Sequence, residues 1–231
     1  MEKEGFGGDK KLPMKSPLAK LERRFIDSTI VHFPPWIQGY HLTLMTILWS
    51  AGAIAFGCLA QRSLLWLIGT CVMLFLQWFT DSFDGSLGKL RDTGIPRWGY
   101  YMDHFLDFVF MNSLLLGYYF LVGAESRFYV CCLLAVFASF MVNSFLSFSA
   151  TNEFKITFMG AGPTEVRIYF IVLNILIMVF GVGWVERLLP YILAVSVLGL
   201  CVIVFRSQKY IWAIDMKHKA EADHHRAAPE E

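Results

Sequence analysis

Four aspartates within 27 residues are the groups best placed to do chemistry in this sequence: Asp81 and Asp84, then Asp103 and Asp107. Gly85, Gly88, Lys89, Arg91, Gly94, Arg97 and Gly99 lie between the two pairs. Met73–Thr80 runs into the first pair and Phe108–Val122 leaves the second without a charge, so all four acids sit at or inside a membrane boundary. An aspartate at the middle of a membrane helix costs roughly 2.5–3.5 kcal/mol on insertion scales, which makes such residues functional candidates. Spacings of i, i+3 and i, i+4 put each pair on one helical face, and two such faces can meet in one cleft. Carboxylates that converge in low dielectric repel unless protonated or bridged by a cation, and hard oxygen donors suit Mg²⁺, Mn²⁺ or Ca²⁺. The expectation is a dinuclear site with Asp81, Asp84, Asp103 and Asp107 as ligands. The small, basic connection between the pairs suits close approach by a phosphate, and the combination points to phosphoryl transfer.

The same stretch resembles the signature of the CDP-alcohol phosphotransferases, D-x2-D-G-x2-A-R-x8-G-x3-D-x3-D. Asp81, Asp84, Gly85, Gly99, Asp103 and Asp107 match it. Gly88-Lys89 stands in place of the Ala-Arg pair, and nine residues rather than eight separate it from Gly99. The resemblance implies a phospholipid-synthesis enzyme that moves a substituted phosphoryl group from a CDP-alcohol to an acceptor alcohol and releases CMP. It further implies two Mg²⁺ ions, with Mn²⁺ as an alternative, lipid substrates and a homodimer. Asp81, Asp84 and Asp103 would be mainly metal ligands, and Asp107 would also be the base. The nucleotide would meet Asp81, Gly85, Gly88, Lys89, Arg91 and Gly99. Lysine is a point charge where arginine would give a bidentate fork, and Arg91 is the residue that could substitute.

His104, beside a metal ligand and able to titrate near neutral pH, is the second candidate for proton transfer. Further along, Gly160-Ala-Gly162-Pro163-Thr164-Glu165 opens the fifth apolar run, with Thr164 and Pro163 as helix-start residues. Arg167, a turn inside that run, is expected to snorkel, to pair with Glu165 or to bind a substrate phosphate or head group. Asp103-His104 and Gly-Pro-Thr-Glu are similar to stretches of the choline/ethanolamine branch, in which diacylglycerol accepts. Arg167 as a phosphate ligand favours the other branch, in which CDP-diacylglycerol donates to a small polar alcohol such as glycerol 3-phosphate, serine or inositol. A different class, a cation- or proton-coupled transporter, shares intramembrane acids, but transporters place them in repeated halves, and no internal repeat is seen. A catalytically dead scaffold is a third reading, against which the intact acids stand. No nucleic-acid partner is expected.

The elements that must position these residues are helices in a membrane. With 56% hydrophobic and 16% aromatic residues and a mean hydropathy of +0.50, the 231-residue chain is too apolar for a soluble domain. The fold class expected is all-α integral membrane, six transmembrane helices preceded by an amphipathic juxtamembrane helix. The spans fall near His41–Leu59, Leu64–Phe83, Gly99–Val122, Phe128–Phe148, Thr164–Val182 and Leu188–Phe205, each long enough for a hydrocarbon core of roughly 30 Å. Residues 1–15 read as disordered and 16–33 as a surface helix, with Leu18, Leu21, Phe25 and Ile26 opposite Lys20, Glu22, Arg23 and Arg24. The membrane domain covers 34–206. Residues 207–231 read as a polar tail in which His218, His224 and His225 are solvated. Asn112, Asn143, Ser144, Ser147 and Asn174 are expected to bond neighbouring helices. The five cysteines lie inside apolar runs without metal-ligand spacing and read as packing residues. With both termini on one side, that side carries 17 of the 20 Lys and Arg residues, so the positive-inside rule puts the termini and the acidic cleft in the cytoplasm.

Overall fold

The computed structural model describes residues 19–151 and 163–227, and every element in them is helical. In chain order these are α1 (Ala19–Thr29), α2 (Gly39–Ala60), α3 (Leu67–Leu90), α4 (Pro96–Leu121), α5 (Arg127–Thr151), α6 (Pro163–Phe180) and α7 (Gly183–Ala227). Short 3₁₀ turns at Ile30–His32 and Leu64–Trp66 lead into α2 and α3. The segment expected to be disordered, 1–15, lies outside the described residues.

Five helices, α2, α3 with its preceding turn, α4, α5 and α7, are long and apolar enough to cross a membrane. The protein is therefore an all-α integral membrane protein. The remaining expected span is α6, an 18-residue helix packed on α3, which stands outside that set of five.

α2, α3 and α4 form the centre. α2 and α4 cross with their backbones in contact: a Cβ at Gly57 would lie 2.4 Å from Gly117 Cα. Small residues permit this approach, and dispersion along the seam holds helices together where lipid tails remove the hydrophobic drive. Leu74, Phe110 and Leu114 fill the space between them, each at most 1% exposed. Hydrogen bonds add to this packing. Tyr118 donates to Asn174 Oδ1 between α4 and α6 at 2.7 Å, and Asn143 donates to Ser207 between α5 and α7 at 3.4 Å. Asn112 and Ser144, expected to reach across to neighbours, donate to carbonyls of their own helix at Phe108 and Phe140, a bond available to any such residue four positions on.

Three boundaries differ from the sequence reading. α3 does not end at Phe83 but continues to Leu90, because Phe83 and Leu87 are fully buried and their packing outweighs the helix cost of Gly85 and Gly88, about 1 kcal/mol each. The connection is thus only Arg91–Ile95, and α4 starts with Pro96 at its first position. α7 does not stop near Phe205 but continues as one helix to Ala227, so most of the expected polar tail is helical.

α1 is docked on the bundle. Phe25 stacks on Trp78 at 6.1 Å and meets Phe83 edge-on at 5.8 Å, while Phe33 packs against Phe79 and Phe83. Its apolar side therefore covers the back of the segment of α3 that carries the first two acids.

Candidate active site and metal centre

Asp81 and Asp84 lie in the C-terminal half of α3, and Asp103 and Asp107 lie one turn apart in the N-terminal half of α4. One carboxylate oxygen from each of Asp81, Asp103 and Asp107 lies within 4.8 Å of the other two. Helical spacing explains why: Asp103 and Asp107 share a face of α4, and that face is turned to α3. Asp84 stands outside this group of three. Its Oδ2 accepts a 2.6 Å hydrogen bond from Thr43 Oγ1 of α2, and its Oδ1 accepts from the Gly85 backbone N–H. Close packing sets that placement, since a Cβ at Gly39 would come within 2.4 Å of the Asp84 carbonyl oxygen.

A cation from α6 reaches the cluster. Arg167, only 7% exposed, donates from Nη2 to Asp81 Oδ2 at 2.8 Å and to Asp107 Oδ1 at 3.3 Å. Its Nε donates to Gln77 Oε1 at 2.5 Å, and Gln77 Nε2 in turn donates to Asp107 Oδ1 at 2.8 Å. Arg167 thus forms a buried ion pair with the acids themselves, an arrangement that none of the three expectations named. Buried charges require such pairing, and the planar guanidinium can address several acceptors at once. Glu165 lies in the first turn of the same helix.

The residues expected at the nucleotide divide into two groups. Gly85 and Gly99 face open space, with nothing within 4 Å of a Cβ built on either, and Lys89 is exposed at the end of α3. Gly88 is buried, its Cβ position 3.5 Å from Gly94 Cα, so it lets the end of α3 pack on the following connection. Arg91 is engaged with the backbone. It donates to the carbonyls of Phe33, Pro34 and Pro35 at 2.9, 2.9 and 3.2 Å and also to that of Ile37. It ties the α3–α4 connection to the α1–α2 connection, and Thr93 does the same through a 2.8 Å bond to Gln38 Oε1. His104 places Nδ1 3.5 Å from Asp103 Oδ2, and its ring lies 4.3 Å from that of Tyr100.

Gln77, Thr43 and Glu22 are site residues that the sequence reading did not single out. Gln77 is one turn before Asp81 and shares its face, a spacing that marks it. Thr43 carries no such signal, because its bond to Asp84 joins residues 41 positions apart. Glu22 accepts hydrogen bonds from Trp78, Ser82 and Thr164, so it faces inward rather than into solvent with Arg23 and Arg24. It lies three and four positions before Phe25 and Ile26, in register with the apolar side. A cavity of about 360 Å³ adjoins these residues, lined by Glu22, Trp78, Thr164, Arg167 and apolar side chains of α1, α3 and α6.

The donor set fits a divalent metal. It is all oxygen, the chemistry that hard cations prefer, and three carboxylates against one guanidinium leave a negative balance that such an ion would offset.

No curated protein and no solved structure matches the chain. The sequence profile of the CDP-alcohol phosphatidyltransferases matches residues 39–213, from the first residue of α2 to well into α7 and across every acid of the cluster. On that match over more than half of its length, the chain belongs to the CDP-alcohol phosphatidyltransferase family.

Proposed function

We propose that the protein transfers a substituted phosphoryl group from a CDP-alcohol to an acceptor alcohol at the cluster of Asp81, Asp103 and Asp107, releasing CMP. The observation that carries this reading is the convergence of three carboxylate oxygens from two helices within 4.8 Å, at the acids of the family signature. Asp81, Asp84 and Asp103 hold divalent metal, Mg²⁺ by preference, together with Asp107. Bound there, the metal supplies charge neutralisation at the diphosphate and its leaving oxygen.

The chain's own residues do the rest. Open space beside Gly85 and Gly99 admits the nucleotide close to both helices, and Lys89 balances its charge. Asp107 takes the proton of the acceptor hydroxyl as the acceptor oxygen forms its bond to phosphorus. The bond from that phosphorus to the CMP oxygen breaks, and CMP leaves with the electron pair. Gln77 and Arg167 orient the Asp107 carboxylate for this step. The cleft faces the cytoplasm, in keeping with the side that carries 17 of the 20 Lys and Arg residues.

CDP-choline or CDP-ethanolamine with diacylglycerol is the substrate pair favoured by Asp103-His104 and Gly162-Pro163-Thr164-Glu165. A second pair, CDP-diacylglycerol with a small polar alcohol, is favoured by Arg167, whose guanidinium could turn from neutralised acids to a phosphate. CMP release by the purified protein in detergent, lipid and Mg²⁺ tests both sets. CMP from one set identifies the branch, and EDTA abolishes it. No CMP from any pair with Mg²⁺ or Mn²⁺ would remove the transferase reading in favour of cation transport or a scaffold.

A further inference from the structure

Glu22 belongs to a helix that sequence alone lays on the membrane surface, yet its carboxylate is engaged by two helices of the bundle. Trp78 Nε1 and Ser82 Oγ of α3 donate to Oε1 at 3.0 and 2.8 Å, and Thr164 Oγ1 of α6 lies 3.2 Å from Oε2. Trp78 and Ser82 are one turn apart, so the carboxylate bridges a ladder on α3 to the first turn of α6. Aromatic stacking of Phe25 on Trp78 and burial of Ile26 keep α1 in register with that ladder.

Thr164 is one turn before Arg167. The first turn of a helix is where the chain is most free to fray, since its backbone donors lack intrahelical partners. Thr164 lies in that turn, since α6 starts at Pro163. A tie at Thr164 therefore limits where the Arg167 guanidinium can go, and Arg167 is the group that spans Asp81 and Asp107.

We propose that Glu22 is a positioning residue: it latches α1 across α3 and α6 and thereby holds Arg167 on the acid cluster. The consequence for turnover rests on the transferase reading above. The latch itself does not.

Two measurements separate them. In a background with Cys58, Cys71, Cys131, Cys132 and Cys201 replaced by Ala, spin labels at the exposed positions Arg24 and Tyr169 report the α1–α6 distance in nanodiscs by pulsed EPR. The distribution is narrow in the parent, broad in Glu22→Ala and in Thr164→Val, and narrow again in Glu22→Gln, whose amide oxygen still accepts. With the donor and acceptor that the parent turns over, Glu22→Ala and Thr164→Val each lower kcat about tenfold, leave the KM of the water-soluble substrate within about twofold, and are no worse together than singly, as members of one contact must be. Glu22→Gln retains kcat. A distribution unchanged by both disruptive variants overturns the latch. Broadening with an unchanged kcat, or strictly additive losses, overturns the positioning role. Should Glu22→Ala fail to fold, Thr164→Val carries the same comparison with Thr164→Ser as its conservative partner. A parent that shows the narrow distribution but makes no CMP removes the transferase reading and leaves the latch standing.

Discussion

Arg167 of α6 donates from Nη2 to Asp81 Oδ2 across 2.8 Å, and both side chains are largely shielded from solvent. Breaking a buried pair by removing one partner typically costs about 3–5 kcal/mol, because the remaining charge is left uncompensated. Arg167→Ala is expected to lower the unfolding temperature more in EDTA than in Mg²⁺, since a bound cation can balance the acids that the arginine leaves. It should also lower turnover by at least about 100-fold through disorder of Asp107. Arg167→Lys rescues poorly, because one ammonium cannot serve Gln77, Asp81 and Asp107 from a fixed fork. Equal destabilisation of Arg167→Ala with and without Mg²⁺ would show that the pair does not share its role with the metal.

Asp107 accepts from Gln77 and Arg167, an arrangement that fixes its orientation without consuming both of its oxygens. Asp107→Asn removes the proton acceptor while keeping the shape, and loss of a general base lowers rate by about 10²–10⁴-fold. His104→Gln, which keeps a polar side chain beside Asp103, should lose far less. Turnover of Asp107→Asn near that of the parent, read as CMP release, would transfer the role to His104.

The Thr43 hydroxyl donates to Asp84, which is proposed above as a metal ligand. Groups that orient a ligand commonly govern metal affinity by about 10–100-fold, so Thr43→Val should weaken Mn²⁺ binding within that range. Thr43→Ser should restore it. Binding read directly from the Mn²⁺ EPR signal tests this without turnover, and an unaltered affinity in Thr43→Val would mean that Asp84 does not hold the ion.

Arg91 holds the α1–α2 connection by its carbonyls. A hydrogen bond to a charged group contributes about 1.5–3 kcal/mol, so Arg91→Ala should lower thermal stability by an amount of that order. The KM for the CDP donor should change little, whereas Lys89→Ala should raise it. The reverse pattern, stability intact and donor KM raised in Arg91→Ala, would put Arg91 on the nucleotide.

Two glycines make a paired test of packing against access. A Cβ at Gly57 would overlap Gly117, and one at Gly85 meets nothing. Gly57→Ala is expected to cost about 1–3 kcal/mol from overpacking with the site chemistry unchanged. Gly85→Ala should fold normally but bind the donor less tightly. If Gly85→Ala binds donor like the parent, the nucleotide does not lie against that face of α3.

The acids were legible in the sequence because carboxylates in an apolar setting are few and their spacing is a property of one helix. The convergence of Asp81, Asp103 and Asp107 followed from two local patterns, whereas Asp84 stands apart from them. What was not legible depended on distant pairs: Thr43 with Asp84, Arg167 with Asp81, Glu22 with Thr164. Glu22 shows the difficulty in its sharpest form. An acid between basic residues on an amphipathic helix reads as solvated, and only its register with Phe25 and Ile26 sets it apart. The end of α3 was misplaced for a related reason, since local glycine content spoke for a turn and burial of Leu87 spoke for a helix. The carbonyls that Arg91 binds lie more than 50 residues away, so its tie to the α1–α2 connection was not legible either.

α7 has 45 residues, which at 1.5 Å per residue gives a rod of roughly 68 Å, about twice the depth of a bilayer's oily layer. Such a rod cannot be hidden in the membrane, so its far half is a cantilever clamped at the α5 seam near Ser207. A fluorophore or affinity handle fixed near Ala222 would sit on a continuation of the membrane helix rather than on irregular chain. Its orientation would then follow the tilt of the bundle, which makes the carboxyl end a built-in gauge of how the enzyme sits in its lipid.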